Sequence, residues 1–222
     1  MDRHQTRILY IVLGLFAVTS AVLVWSFVHR YLNTFQAGTR PEFVESTVKP
    51  KQPPARPDDP ARGSSNPQAI TITEFADFTC VYCRATEREL VRALNEFPDV
   101  RHVWRDMPVA SDSPDAVLAS VAGRCAKDQG RFWEMHELLL SMPRINVETV
   151  RDAARDVGID VGSFSTCLAS PKKASDIQAD IQIALDHDLA SAPTFFIGNQ
   201  VLTGYQTAAD FRWAIIRAKW SQ

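Results

Sequence analysis

The 222-residue chain lacks charge of one dominant sign: Lys and Arg number 24, Asp and Glu 26, for a formal net charge of −2. Without a basic excess there is no electrostatic footprint for nucleic acid, and no nucleic-acid partner is expected. Cysteine is scarce. Four residues are too few for a small disulfide-stapled scaffold, but enough for one redox pair and one structural pair. There is no second C-x-x-C and no H-x3-H to complete a zinc site, so no metal is expected. No internal repeat is visible. The hydrophobic share of 45% excludes a chain disordered throughout, and the length suits one domain plus additional segments.

What is present divides unevenly along the chain. Ile8 to Val28 contains no charged residue over 21 positions, interrupted only by Gly14, Thr19, Ser20 and Ser26. As a helix this run would reach about 31 Å, enough for a bilayer core. Tyr10 at one end and Trp25, Phe27 and Tyr31 at the other suit the headgroup region. A cleaved signal peptide is the rival reading, although its apolar region is usually shorter. Flanking charge is nearly balanced, with Arg3 and Arg7 before the run and Arg30, Arg40, Lys49 and Lys51 after it. Seven of the thirteen prolines fall between residues 33 and 67, as in a semi-stiff extended tether. The expected organisation is a transmembrane anchor with a short cytoplasmic tail (1–32), a proline-rich linker (33–67) and one domain (68–222).

Within the domain, alternation predicts a strand at 69–76, followed by a helix from about Cys80 to Phe97 and a strand at 100–104 with Val100, His102 and Trp104 on one face. Ser113-Pro114-Asp115 opens a helix, and helical pattern continues in pieces at about 131–141, 147–157 and 161–169, with Asn146 and Asp160 as caps. A helix at 172–187 carries the stripe Ala174, Ile177, Ile181 and Ala184. Strands at 194–197 and 200–203 are joined by the turn Gly198-Asn199, and Thr207 starts a last helix. The order β-α-β, helical insertion, α-β-β-α implies an α/β fold with helices on both faces of a small mixed sheet.

Chemistry concentrates at Cys80-Val81-Tyr82-Cys83, placed between a strand and a helix. A thiolate at Cys80 would meet the unpaired N–H groups and positive dipole end of the first turn, which lowers its pKa and favours the reacting species. Cys83 lies one turn on, facing inward with Glu87, Leu90, Leu94 and Phe97, within reach to resolve a mixed disulfide. Half a zinc site or an inert structural disulfide are the competing readings; a haem attachment would need His where Arg84 stands. Cys125 and Cys167 fall in the helical insertion, either as free buried thiols or as a structural disulfide, which is preferred. Stable pairing would place the domain in an oxidising compartment, with the N-terminus in the cytoplasm and the domain outside it. His102 and His136 are expected as packing or surface residues.

Taken together, Ile72-Thr-Glu-Phe-Ala-Asp-Phe-Thr-Cys-Val-Tyr-Cys83, Arg131-Phe-Trp-Glu-Met-His136, Ala192-Pro193-Thr194-Phe195-Phe196 and Gly198-Asn199 resemble the DsbA-like branch of the thioredoxin superfamily, over nearly all of 69–222. The resemblance implies a thioredoxin-like fold with a helical insertion, and thiol–disulfide exchange on exported proteins without a cofactor. It gives Glu74 the role of a buried acid beneath the redox pair, Pro193 that of a cis-proline, and Ala192 and Thr194 the flanks of a substrate groove. Val81 and Tyr82 would tune the pair; Tyr82 brings no positive charge, so a mild oxidant is expected. The superfamily's isomerases carry a separate dimerisation domain where this chain has its tether. An oxidase reoxidised by a partner in the inner membrane is therefore the leading expectation. A reductase or isomerase on the same fold, or a peptide-binding holdase, are the alternatives.

Overall fold

The computed structural model describes residues 19–20, 22–26, 51–53, 56–108 and 113–221. The chain divides into two compact units, Met1–Glu45 and Ser46–Gln222. In the first, the described residues are helical. Most of the anchor expected at 8–28, and residues 33–50 of the expected linker, lie outside the described residues. Among those that are described, no helix is long and apolar enough to cross a membrane.

Among its described residues, the second unit is built on five strands: β1 (Ala61–Gly63), β2 (Thr71–Ala76), β3 (Arg101–Asp106), β4 (Thr194–Ile197) and β5 (Gln200–Thr203), in the order β1-β3-β2-β4-β5. β2 is central because its TITEFA sequence is β-branched and apolar enough to be covered on both faces. It runs parallel to β3, with Glu74 opposite Trp104, and antiparallel to β4, with Glu74 opposite Phe195. The parallel step from β2 to β3 needs a crossover, which α1 (Val81–Glu96) supplies. The β4–β5 hairpin turns through Gly198 at φ 60°, in the left-handed region that glycine tolerates.

Between β3 and β4 lie α2 (Pro114–Lys127), α3 (Phe132–Ser141), α4 (Val147–Asp156), α5 (Val161–Leu168) and α6 (Pro171–Asp186); α7 (Ala208–Trp220) closes the chain. The caps fall at Asn146 and Thr207, each in a reciprocal capping box, and at Asp160, whose carboxylate accepts from Ser163 N. Helices α1 and α7 share a core with β2, β4 and β5 in which Ile72, Leu90, Phe195, Phe211 and Ile215 are fully buried. Each such side chain contributes about 1.5–3 kcal/mol. A second core joins Ala76, Phe78, Cys83 and Trp104 to the helical insertion, so α1 is packed at its start by one core and further along by the other.

Two expectations are corrected. Residues 56–63, assigned to the tether, are part of the folded unit: β1 pairs antiparallel with β3, Ala61 opposite Val103. The segment is held by charge rather than apolar area, which is why its composition reads as linker. Asp59 is buried and bonds Arg56 (3.0 Å) and Arg105 (2.7 Å). Asp180 is equally buried and bonds Arg56, Arg105 (3.1 Å) and Arg124. Asp106 accepts from Arg124 (2.6 Å) and from the Trp104 indole (3.0 Å). Three carboxylates and three guanidinium groups thus neutralise one another inside the protein. On α6, the inward face is accordingly Ile177, Asp180 and Ala184, with Ile181 partly buried against the core, and of the expected stripe Ala174 is exposed.

Candidate functional site

A short turn delivers Cys80 to the start of α1. The Asp77 carboxylate accepts from the Thr79 backbone N–H and hydroxyl, both at 2.7 Å, and the Cys80 N–H donates to Asp77 O at 3.1 Å. Arg84 Nε donates to Phe78 O at 3.0 Å and ties the turn to the helix behind it. Cys80 is then the N-cap of α1, with extended backbone (φ −72°, ψ 125°), and its sulfur accepts from Cys83 N at 3.2 Å.

Cys80 and Cys83 are both free thiols here, the first half-buried and the second buried. The Cys83 thiol donating to Cys80, with the Cys83 and Tyr82 backbone N–H groups, outweighs burial and pulls the Cys80 thiol down to about 6. Burial, and that same donation to Cys80, push Cys83 far up. The pair is therefore asymmetric: a thiolate at the surface and a protonated thiol beneath it. Val81 and Tyr82 between them are 69% and 61% exposed, leaving the mouth of the site apolar and uncharged.

On the opposite side of Cys80 lies the loop before β4. Cys80 Sγ approaches Ala192 O at 3.6 Å, and the Ala192–Pro193 peptide is cis. Pro193 O accepts from Gly204 N at 2.8 Å, and the Thr194 hydroxyl donates to Ser191 O at 2.7 Å, fixing the loop from both ends. The loop thus brings Ala192 to Cys80, with Pro193 and Thr194 following it in the chain.

Glu74 projects from β2 beneath the pair and is fully buried. One carboxylate oxygen, Oε2, lies 2.8 Å from His102 Nε2; the other, Oε1, has no hydrogen-bond partner among the described residues. Burial first, and then the charge of Glu87, raise its pKa well above the carboxylate range, against the pull of Arg62. Cys80 and Glu74 feel each other's charge, as do Glu74 and Cys83.

The sequence reading did not foresee what stands behind Glu74. His102 is fully buried, and Arg62 Nε donates to its Nδ1 at 3.1 Å. Arg62 Nη2 pairs with Glu87 Oε1 at 2.6 Å, and the guanidinium lies over the Trp133 ring at 4.2 Å. The Trp133 indole in turn donates to Ala61 O at 3.0 Å. Alternation sets His102 on one strand face with Trp104, but Arg62 falls in the proline-rich stretch that reads as tether and carries no signal. His136 is also fully buried, among the rings of Phe78, Trp104 and Trp133.

Cys125 on α2 and Cys167 on α5 form a disulfide, with Cα atoms 5.8 Å apart. No group of three His, Cys, Asp or Glu among the described residues is arranged to hold a metal ion.

A family model described as Thioredoxin matches residues 56–217. Among curated proteins, the chain is 34% identical over 132 residues to the Na(+)/H(+) antiporter NhaA 3 of Salinispora tropica, covering 59% of this chain and 20% of that one. It is 31% identical over 162 residues to the Na(+)/H(+) antiporter NhaA 1 of Mycolicibacterium gilvum, covering 70% and 26%. The chain therefore spans only about a fifth to a quarter of the length of these relatives. Among solved structures, a thioredoxin-like oxidoreductase from Silicibacter pomeroyi superposes with a TM-score of 0.68 at 26% identity, over 75% of this chain and 95% of that one. The thiol-disulfide exchange protein alpha-DsbA2 from Wolbachia pipientis shares the fold, with a TM-score of 0.65 at 19% identity over 72% and 86%. With a dithiol capping the helix after the central strand and a cis-proline beside it, the chain belongs to the thioredoxin family.

Proposed function

We propose that this thiol–disulfide oxidoreductase works as an oxidase, donating a Cys80–Cys83 disulfide to the thiols of exported proteins. The observation that carries the reading is the asymmetry of the pair, with Cys80 drawn down to about 6 and Cys83 pushed up. A stabilised Cys80 thiolate favours the reduced form, and so makes the disulfide a better acceptor of electrons. Relative to a thiol titrating near 8.5, a pKa of about 6 favours the reduced state at pH 7 by at most about 1.4 kcal/mol, or about 30 mV for two electrons. That is one increment on a scale spanning about 150 mV between thioredoxin and the strongest oxidants. The neutral Val81-Tyr82 pair adds no charge to it, which suits a mild oxidant.

The groove between Cys80 and the Ala192-Pro193-Thr194 loop is where a substrate segment would lie. Residues 8–28 would hold the domain at the membrane, N-terminus in the cytoplasm and domain outside, where an inner-membrane partner would reoxidise it. The uncharged run and the Cys125–Cys167 disulfide support that placement. The curated relatives are named as antiporters, but ion transport is not proposed, because the chemistry assembled here is that of thiols.

The test is a redox titration of the Cys80–Cys83 pair in the full chain against glutathione. A potential above about −190 mV supports net oxidation, and one near −250 mV or lower moves the protein to the reductases. Absence of exchange would leave the groove as a binding module.

A further inference from the structure

We propose that His102 is a positioning residue for thiol–disulfide exchange, locked by Arg62 as a one-way hydrogen-bond donor to Glu74, so that Glu74 exchanges its proton through Oε1 alone. The inference rests on exchange at Cys80–Cys83 and goes beyond it. Arg62 Nε always carries a proton and stands 3.1 Å from His102 Nδ1, so Nδ1 must accept. A neutral ring that accepts at Nδ1 carries its proton on Nε2, which lies 2.8 Å from Glu74 Oε2. The tautomer is assigned from these donors and acceptors. An imidazolium would set its own N–H against that of Arg62, and burial and the Arg62 charge both oppose it.

The lock has a chemical consequence. A histidine free at both nitrogens could pass protons inward, but here the outer nitrogen faces a guanidinium that does not release one. His102 therefore does not shuttle. It supplies a fixed donor to the Glu74 carboxylate and offsets part of the burial that favours the neutral acid. Arg62 is itself held by Glu87 and by the face of Trp133, so the lock is braced from α1 and from α3.

In a mixed disulfide at Cys80, the proton of Cys83 passes to Glu74 and the Cys83 thiolate attacks Cys80 Sγ. The Cys80–Cys83 bond forms as the bond to the substrate sulfur breaks. That sulfur leaves with the electron pair and takes up a proton from solvent; the protein pair is oxidised and the substrate sulfur reduced. In the opposite direction a substrate thiolate attacks Cys80, Cys83 leaves as thiolate, and Glu74 returns the proton. The titratable and charged groups facing Glu74 are Arg62 from β1, His102 from β3, Cys80, Cys83 and Glu87 from the start and inner face of α1, and buried His136 from α3 beyond His102. β4 contributes only Thr, Phe and Ile.

The experiment uses the reduced full chain and an aromatic disulfide that releases a coloured thiolate. The first release reports attack by Cys80 and the second reports resolution by Cys83. His102→Leu should move the pH midpoint of the second release upward by about one to two units, the worth of a hydrogen bond to a charged group. His102→Gln, whose amide can still donate to Oε2, should return it to within about half a unit of wild type. In labelled wild-type protein, the ring nitrogens of His102 should show the neutral Nε2–H tautomer throughout pH 6–8. An unchanged midpoint in His102→Leu, a Gln variant behaving like Leu, or an Nδ1–H or charged ring would each overturn the proposal. If wild type gives the first release and never the second, the exchange reading itself falls, and this role with it.

Discussion

Alkylation of the reduced protein with iodoacetamide tests the central electrostatic statement, that the first turn of α1 holds Cys80 as a thiolate. With Cys80 drawn down to about 6, roughly nine-tenths of it is ionised at pH 7, against about 3% of an ordinary thiol titrating near 8.5. The gain in reactive species is about 30-fold. A less basic thiolate is also a poorer nucleophile, however, and a Brønsted slope of about 0.45 over 2.5 units removes a factor of about 13. At pH 7 the two effects nearly cancel, leaving Cys80 only about twofold faster than a free cysteine. At pH 5 the ionised fractions differ about 300-fold, and the net advantage grows to about 20-fold. The diagnostic quantity is therefore the midpoint of the rate–pH curve rather than any single rate, with Cys83 too buried and too basic to compete. A midpoint near 6 is expected, read by mass spectrometry of Cys80 across pH 4–9. A midpoint near 8.5 would show that the hydrogen bonds from Cys83 and Tyr82 do not hold the charge, and would remove the basis of the oxidase reading.

The same shift sets the sign of a stability effect. Because the folded pKa of Cys80 lies below its unfolded value, the reduced form gains stability that is fully present above about pH 8.5 and lost as pH falls through about 6; urea titrations of the reduced chain and of Cys80→Ser should diverge across that window, and parallel curves would refute it. Asp180→Ala leaves Arg105 with Asp59 alone and Arg124 with Asp106 alone, one buried positive charge uncompensated, and should destabilise the domain by about 3–5 kcal/mol in chemical denaturation; a loss under about 1 kcal/mol would mean that the cluster is hydrated. Replacing both Cys125 and Cys167 by Ala opens a loop of sequence separation 42 and should cost about 4 kcal/mol while leaving exchange at Cys80 intact. Tyr82→His places a titratable cation beside the exposed sulfur, so the Cys80 midpoint should fall further at pH values where that imidazole is charged.

How much of this the sequence discloses depends on which force builds each part. The strand at 71–76, the helix after Cys80, the insertion helices and the β4–β5 hairpin all follow from apolar periodicity, capping residues and turn glycines, and the structure places them within a residue or two of expectation. The site's outline was legible for a similar reason, since Cys80, Cys83, Glu74 and the Ala192-Pro193-Thr194 loop sit in local motifs. What stayed hidden was held by charge. Asp180 interrupts the apolar stripe of α6 and reads as an exposed position, yet it is the point where Arg56, Arg105 and Arg124 converge. His102 reads as an ordinary strand residue, because nothing local reveals that its neighbours are a carboxylate and a guanidinium. Periodicity reports burial of apolar surface and is silent about polar groups buried in pairs.

The hidden part also relocates the domain's beginning. Residues 56–63 bury little apolar surface, and a boundary drawn at residue 68 would discard them as tether. They nevertheless reach both of the buried polar assemblies. Asp59 enters the cluster with Arg105, and Arg62, three residues on, enters the chain of contacts that ends on Glu74. Asp59 stands just before β1 and Arg62 within it, so the edge strand couples the anchorage of the N-terminal segment to the surroundings of Glu74. A chain begun at residue 68 would keep Cys80, Cys83, Glu74 and the cis-proline loop. It would lose the lock on His102 and leave Arg105 short of one of its two carboxylates, so its redox behaviour would differ from that of the intact protein even if it folded. Exchange measured on the intact chain and on one begun at residue 68 should therefore diverge in pH profile as well as in stability. Identical profiles would mean that Arg62 does nothing for the site beyond packing on Trp133.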